Sequence, residues 1–469
     1  MVKTLVETGG CNMDVKAIVK NFVKKGPIET YRIYKKRDAD RRLKEECEEF
    51  RKELVAKIIA TSFPEQKKDF IKYLDKRYAG QVTDKLYEKE LKSIFVKEVY
   101  PAVYNSEAKK PVENKVVFME RGGGISPSLL YMCKYISTHT DYEVKKHVLK
   151  IREVPNEVHY EYTREYIKDA ATAKAIFICT ANDYMAYFKL RPETTYIQLW
   201  HGCGAFKKVG LSTIDKKFGK SAASHKEYPL NTNYSYVTIA SPELSWVFEE
   251  SMGIEKDSGI IVPTGISRTD EFFDKDYIEN SYKKIYEVIP QAKDKKVILY
   301  APTFRGEVAT CVSPDKLDVK KFAEALGDEY ILICKHHPSV KKLPEIPEEY
   351  EGTFAFDMTR GKGMNINELM TVSDICITDY SSVAFEYSLF ERPMIFFTYD
   401  IEEYIDNRGL YYEFDEITPG PMFKENDEMI DYILNVEERF DKQEVIDFKN
   451  KFMCCCDGHS SERILKLIK

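Results

Sequence analysis

Residues 374–399, DICITDYSSVAFEYSLFERPMIFFTY, constrain the fold more than any other stretch of the chain. Ile375, Cys376, Ile377 and Thr378 form an apolar run of the length of a buried strand. Asp379, Ser381 and Ser382 follow around Tyr380, and these are turn and helix N-cap types. Val383 to Leu389 fits a short helix, Arg392 and Pro393 stop it, and Met394 to Phe397 reads as the next strand. A strand–loop–helix–strand unit builds parallel sheets. Its loop lies at the carboxyl end of a strand and the amino end of a helix, where backbone N–H groups and the helix dipole favour a phosphate. Ser381 and Ser382 add hydroxyls, and Glu386, one turn on, is placed for a ribose hydroxyl. By pattern alone the loop reads equally as an ordinary helix cap.

The rest of the chain extends this unit in both directions. Strand patterns at 116–119, 175–179, 195–200, 236–240 and 259–262 alternate with helical stretches, including one at 128–136 behind a glycine loop at Gly122 to Gly124. Two more strands, at 296–301 and 330–334, join those of the opening stretch. The charged, loosely patterned segment 274–295 reads as a linker. The expected fold is α/β, with two Rossmann-like domains at 111–275 and 276–469 facing a cleft and a helical region at 1–110 before them. Ligands of such sheets bind outside the carboxyl ends of the strands. Those ends carry His201, Gly202, Lys207 and Lys208; Thr303 and Arg305; Lys335, His336 and His337; and Thr378, Asp379, Ser381 and Ser382. Imidazoles, cations, hydroxyls and glycines at four strand ends suit a bound polyphosphate and a proton moved beside it.

Composition excludes several classes. A net charge of −6 gives no global field for nucleic acid. The start, MVKTLVETGG, has no apolar signal-peptide core, and no run approaches the roughly 18–20 apolar residues of a membrane span. The eleven cysteines are scattered, so a cytosolic chain with reduced thiols is expected, and Cys454, Cys455 and Cys456 read as helix-packed thiols without zinc spacing. In the helical region a basic front of Arg32, Lys35, Lys36, Arg37, Arg41 and Arg42 precedes amphipathic, lysine-rich helices. This pattern fits docking on an anionic membrane surface, or a solvated helical layer.

The segments YIQLWHGCGAFKKVG, ILYAPTFRG, CKHHP and ITDYSSVAFEYSLFERPMIFFTYDIEEY resemble the CDP-glycerol glycerophosphotransferase family of teichoic acid primases and polymerases, as do PTGISRTDEFF and GLYYEFDEITPGPMF. The resemblance runs from about Ile176 onward and implies a GT-B arrangement with the nucleotide on the second domain. It implies His201 as the base, His337 (with His336 beside it) as the second active-site histidine, Thr378 to Ser382 as the phosphate loop, and Arg408 as a functional arginine. It also implies peripheral attachment to the inner membrane face. WHGCGAFKK departs from the family's commoner WHGTPLKK, which bears on the acceptor side. The activity so implied is transfer of glycerol phosphate or ribitol phosphate from CDP-glycerol or CDP-ribitol to a hydroxyl of a lipid-linked polyol-phosphate acceptor, with CMP released. Neither a cofactor nor a metal is expected, since no Asp cluster proposes one. A nucleotide-sugar glycosyltransferase of the same fold and a non-catalytic membrane-surface scaffold are the alternative readings.

Overall fold

The computed structural model describes residues 15–122, 124–214, 216, 219, 221–306, 311–360 and 363–469, and of these the side chains of 15–19, 22, 27 and 405–408 are not described. The chain divides into two compact units. One holds the residues up to Val103 together with Pro155–Arg164, and the other holds Tyr104–Val154 and Glu165–Lys469.

The first unit is helical. Val15–Ala60 is one long helix with a kink at Gly26, whose φ of 79° only glycine adopts cheaply. Phe63–Tyr78 and Asp84–Ile94 follow, and a π-helical turn at Phe95–Val99 precedes the helix Tyr100–Glu107. Leu54, Ile58, Phe63, Phe70, Leu74, Leu91, Ile94 and Phe95 make its core. Arg51 donates to Glu90 at 2.8 Å and to Glu98 at 2.6 Å. Arg164 donates to the carbonyls of Ile58 and Thr61, both at 3.0 Å, and so caps the long helix. Among the described residues, no helix is long and apolar enough to cross a membrane.

The second unit contains two six-stranded sheets, parallel throughout. In the first the strands are β1 (Lys115–Glu120), β2 (Glu143–Val148), β3 (Ala175–Ile178), β4 (Thr195–Gln198), β5 (Tyr236–Thr238) and β6 (Ile261–Val262), in the order β2-β1-β3-β4-β5-β6. In the second they are β7 (Lys296–Tyr300), β8 (Tyr330–Cys334), β9 (Ala355–Asp357), β10 (Ile375–Thr378), β11 (Met394–Phe397) and β12 (Met422–Phe423), in the order β12-β11-β10-β7-β8-β9. The central strands are buried on both faces, which explains their unbroken apolar runs. In each sheet the chain starts in the middle, runs outward on one side, then returns to the other. The resulting switch points lie between β1 and β3 and between β7 and β10, where open parallel sheets bind ligands.

Several features differ from the sequence reading, beginning with the strands β2, β9 and β12, which it did not contain. The charged segment after Phe273 is not a loose linker: Lys275–Val288 is a helix, with Asp274 accepting from the N–H groups of Asp276 and Tyr277, and its buried face is Ser281 and Ile285. Cys454 to Cys456 form a turn beyond the helix Lys442–Phe452 rather than helix-packed thiols. Residues 455–469 pack on the first sheet, although sequence order placed them with the second. The Cys455 N–H donates to Ala240 at 3.0 Å, those of Ser460 and Ser461 donate to Asp270 at 3.0 and 2.8 Å, and Ile464 lies in the first sheet's core.

Candidate active site

His201 is placed by the turn that ends β4. The Leu199 N–H still bonds the Ile178 carbonyl at 2.7 Å, as a strand residue would. Trp200 then takes a φ of 59°, a conformation costly for a bulky residue and kept only where the surroundings enforce it. Here its N–H donates to Gln198 Oε1 at 3.0 Å, and its ring meets Phe248 edge-on at 5.7 Å. This turn swings His201 out beyond the strand ends. Its Nδ1 lies 3.0 Å from the Cys179 carbonyl oxygen at the end of β3. A carbonyl only accepts, so Nδ1 carries the proton and Nε2 presents its lone pair. The ring is open to the cleft yet densely walled by protein, and this burial lowers its pKa below the ordinary 6.5. His201 is therefore neutral at pH 7, with Nε2 as its basic nitrogen.

The glycine loop after β1 supports the same corner. Glu120 Oε1 accepts from the N–H of Arg121 at 2.8 Å, and Oε2 accepts from the N–H of Ser126 at 3.2 Å. Gly122 is half-buried there, and Gly123 lies outside the described residues.

The second half meets His201 with Ser382. A Cβ on Gly202 would touch the Ser382 hydroxyl oxygen at 3.5 Å, so the two loops face each other directly. A Cβ on Gly204 would fall 2.3 Å from the Phe385 ring, which cannot yield because Phe206, Phe448 and Phe452 pack around it. Only glycine fits at this point. Beyond it Lys207 pairs with Leu410 in an antiparallel bridge, and the Tyr411 N–H donates to the Phe206 carbonyl at 2.8 Å. This seam carries Lys207 Nζ to 3.4 Å from the Thr303 hydroxyl, while Lys208 reaches Glu250 at 4.0 Å.

The two adjacent histidines separate cleanly. His336 is buried, with Nδ1 2.5 Å from the Ser313 hydroxyl, and lines a small cavity with Tyr300, Asp315 and Asp357. His337 is exposed, with its ring edge-on to Phe304 at 4.9 Å. Its Nδ1 accepts the Ser339 N–H at 3.1 Å, so its proton sits on Nε2. Although its ring reaches solvent, the protein packed around it and then the nearby Lys207 ammonium lower its pKa. His337 thus offers a neutral N–H donor, the opposite tautomer to His201.

Several residues expected to contact substrate are engaged within the protein. Arg305 forms a two-pronged pair with Asp400 at 2.6 and 3.0 Å, and also donates to Asp379 at 2.9 Å. Asp379 in turn accepts the Thr303 N–H at 2.8 Å, and the fully buried Thr378 hydroxyl donates to the Ala301 carbonyl at 2.8 Å. These contacts fasten the loop after β10 to the loop after β7. Lys335 donates to the Met358 carbonyl at 2.7 Å. Glu386 is buried in an ion pair with Arg268 instead of facing a ribose. Ser381 Oγ accepts the Val383 N–H at 3.3 Å, while Ser382 makes no capping bond with its side chain. Arg408 ends the helix Ile401–Arg408, and its side chain lies outside those described. Arg268, Glu120 and Asp400 were missed by sequence reasoning, because nothing local distinguishes them from surface charges.

The family model for CDP-Glycerol:Poly(glycerophosphate) glycerophosphotransferase matches residues 102–469. A teichoic acid poly(ribitol-phosphate) polymerase of Bacillus spizizenii is 38% identical over 300 residues, 64% of this chain and 47% of that protein. A teichoic acid ribitol-phosphate primase of the same organism is 37% identical, over 64% of this chain and 75% of its own. A teichoic acid glycerol-phosphate primase of Bacillus subtilis is 30% identical, over 60% of this chain and 69% of its own. The chain thus spans about half the length of the polymerase it matches. Among solved structures, the wall teichoic acid polymerase TagF superposes with a TM-score of 0.64 at 23% identity, covering 81% of this chain and 95% of that one. The fold is therefore the expected GT-B-like arrangement. With a match that runs through both sheets and all four strand ends of the cleft, the chain belongs to the CDP-glycerol:poly(glycerophosphate) glycerophosphotransferase family.

Proposed function

We propose that the protein transfers a polyol phosphate from a CDP-polyol to a hydroxyl of a lipid-linked polyol-phosphate acceptor. The observation that carries this reading is the pair of opposed tautomers, Nε2 as the basic nitrogen of His201 and an N–H at Nε2 of His337. His201 takes the proton of the attacking hydroxyl. The new P–O bond forms at the distal phosphorus, the bond to CMP breaks, and the His337 N–H and Lys207 meet the charge of the diphosphate. Positioning and charge stabilisation are what such a transfer chiefly needs. Ser381 and Ser382 are the hydroxyls nearest the donor phosphates in this reading, and Gly202 leaves room for them.

The ribitol-phosphate relatives stand at 38% and 37% identity against 30% for the glycerol-phosphate primase, which makes CDP-ribitol the first donor to try. Purified protein is offered CDP-ribitol, CDP-glycerol and a panel of UDP-sugars with a lipid-linked acceptor. CMP release with a gain of one polyol phosphate in acceptor mass is expected. UDP release from a sugar donor alone would make the protein a glycosyltransferase, and nucleotide binding without turnover would make it a scaffold.

We also propose that the helical unit docks the enzyme on the cytoplasmic face of the membrane. On its long helix Val23 (79% exposed) and Ile28 (67%) stand in water near the basic front, while Thr30 and Tyr34 are buried. Exposed apolar side chains beside cations are the make-up of an interfacial helix, although Arg41 and Arg42 already share Asp38. The full chain should co-sediment with phosphatidylglycerol vesicles. The bound fraction should fall at high salt, since surface charges are screened over about 8–10 Å near physiological ionic strength. It should fall again when Val23 and Ile28 are changed to Ser. Equal sedimentation with neutral phosphatidylcholine vesicles, or no change in the Ser variant, would remove this role from the helix.

A further inference from the structure

We infer that Arg268 is a positioning residue for the transfer step: it locks the helix of Glu386, whose start meets the His201 loop, to the first half of the cleft. This rests on the transfer reaction proposed above. Arg268 lies in the turn Ser267–Phe273 after β6, and the backbone there is held from several sides. The Ser267 hydroxyl donates to the Ser128 carbonyl at 3.1 Å, Asp270 accepts the N–H groups of Ser460 and Ser461, and Asn367 donates to the Arg268 carbonyl at 3.5 Å. From this anchor the guanidinium crosses to Glu386, and the pair is 13% and 2% exposed.

A buried ion pair contributes little net stability, because desolvation offsets its attraction. This pair is also incompletely satisfied: Arg268 Nε and Glu386 Oε2 are both buried without a hydrogen-bond partner among the described residues. Stability alone is thus a poor reason for it. Its position supplies a better one. Glu386 sits on the short helix Val383–Tyr387, whose start brings Ser382 to Gly202 and whose Phe385 fills the space left by Gly204. The ion pair is a third contact of the same helix with the first half, and three contacts fix a rigid body where two leave a hinge. The charges that act on His201 are the Arg268 guanidinium and the Glu120 carboxylate, and the guanidinium also acts on the thiols of Cys179 and Cys203. Burial chiefly keeps His201 below its ordinary pKa; the Arg268 charge adds to this, while the Cys179 carbonyl and Glu120 oppose it.

The test follows the imidazole C2 proton of His201 by NMR across pH, assigned with His201→Asn, in the wild type, Arg268→Gln, Arg268→Lys and Glu386→Gln. Turnover of the CDP-polyol is measured on the same proteins. Arg268→Gln should raise the His201 midpoint by about half a pH unit and lower kcat about tenfold, with KM within about threefold. Arg268→Lys keeps the charge, so the midpoint should stay near wild type and part of kcat should return. Glu386→Gln leaves the cation without its counter-charge, so the midpoint should move down while kcat still falls. A midpoint unmoved in Arg268→Gln, equal losses in the Gln and Lys variants, or a wild-type kcat in Arg268→Gln would overturn the role. Should Arg268→Gln fail to fold, the Lys and Glu386 variants decide by the same readouts. If the wild type turns over no CDP-polyol, the transfer reading fails, and the titration still decides whether Arg268 acts on His201.

Discussion

His201→Asn should cut CMP release by about 10²- to 10⁴-fold, the usual cost of losing a general base, while calorimetric affinity for CMP stays near wild type. The loss follows from geometry: Nε2 is the ring atom left free once Nδ1 is bound to the Cys179 carbonyl. Asn retains a polar group but has no nitrogen that accepts a proton near neutral pH. The pH profile gives an independent check. The base form persists below the ordinary imidazole pKa of 6.5, because burial lowers it. The acid limb of kcat/KM should therefore fall below pH 6.5, not above it. Linkage has the same sign. A folded-state pKa below the unfolded one gives stability that is present above about pH 6.5 and lost as pH falls through the lower, folded value. His336 and His337 are lowered as well, again by burial first, and add to this acid sensitivity. Near-normal turnover in His201→Asn would sink the assignment.

Arg305→Met should destabilise the protein by about 3–5 kcal/mol, the cost of stranding buried counter-charges. Asp379 is 3% exposed and Asp400 18%, and both lean on the one guanidinium. Without it two carboxylates face each other with little water. A loss of this size lowers the melting temperature by roughly 10 °C in a domain of this scale. CMP affinity should fall too, because Asp379 also holds the Thr303 N–H and so joins two cleft loops. Adding Asp400→Asn to Arg305→Met should recover part of the loss by removing one stranded charge. A melting point within about 2 °C of wild type would mean that the network is not what holds these loops.

The central strands and their order along the chain were legible because buried parallel strands are written as short apolar runs, and the loop after each is written in turn residues; β2, half-exposed and charged, and the two- and three-residue strands β12 and β9 carry no such run and were not read. His201, His337 and the 378–382 loop stood out for that reason. What stayed hidden is pairing across long distances. Arg305 looked like an anion site, but its partners come from 74 and 95 residues away. Glu386 looked free for a ribose until Arg268, 118 residues earlier, took one oxygen. The helix Lys275–Val288 passed for a linker because only one narrow face is buried and the rest is charged.

The return of residues 455–469 to the first sheet has a consequence for biogenesis. Arg463 donates to the Thr264 carbonyl, and Ile464 completes a core begun at Val116. Thr264 and Arg463 are 199 residues apart. At ribosomal rates of about 5–20 residues per second, roughly 10–40 s separate their synthesis. During that interval the His201 half carries an uncovered apolar face while the whole second sheet emerges. The order of completion is thus the reverse of the order of synthesis: the second sheet can close on its own residues first, and the half that bears His201 is sealed only afterwards.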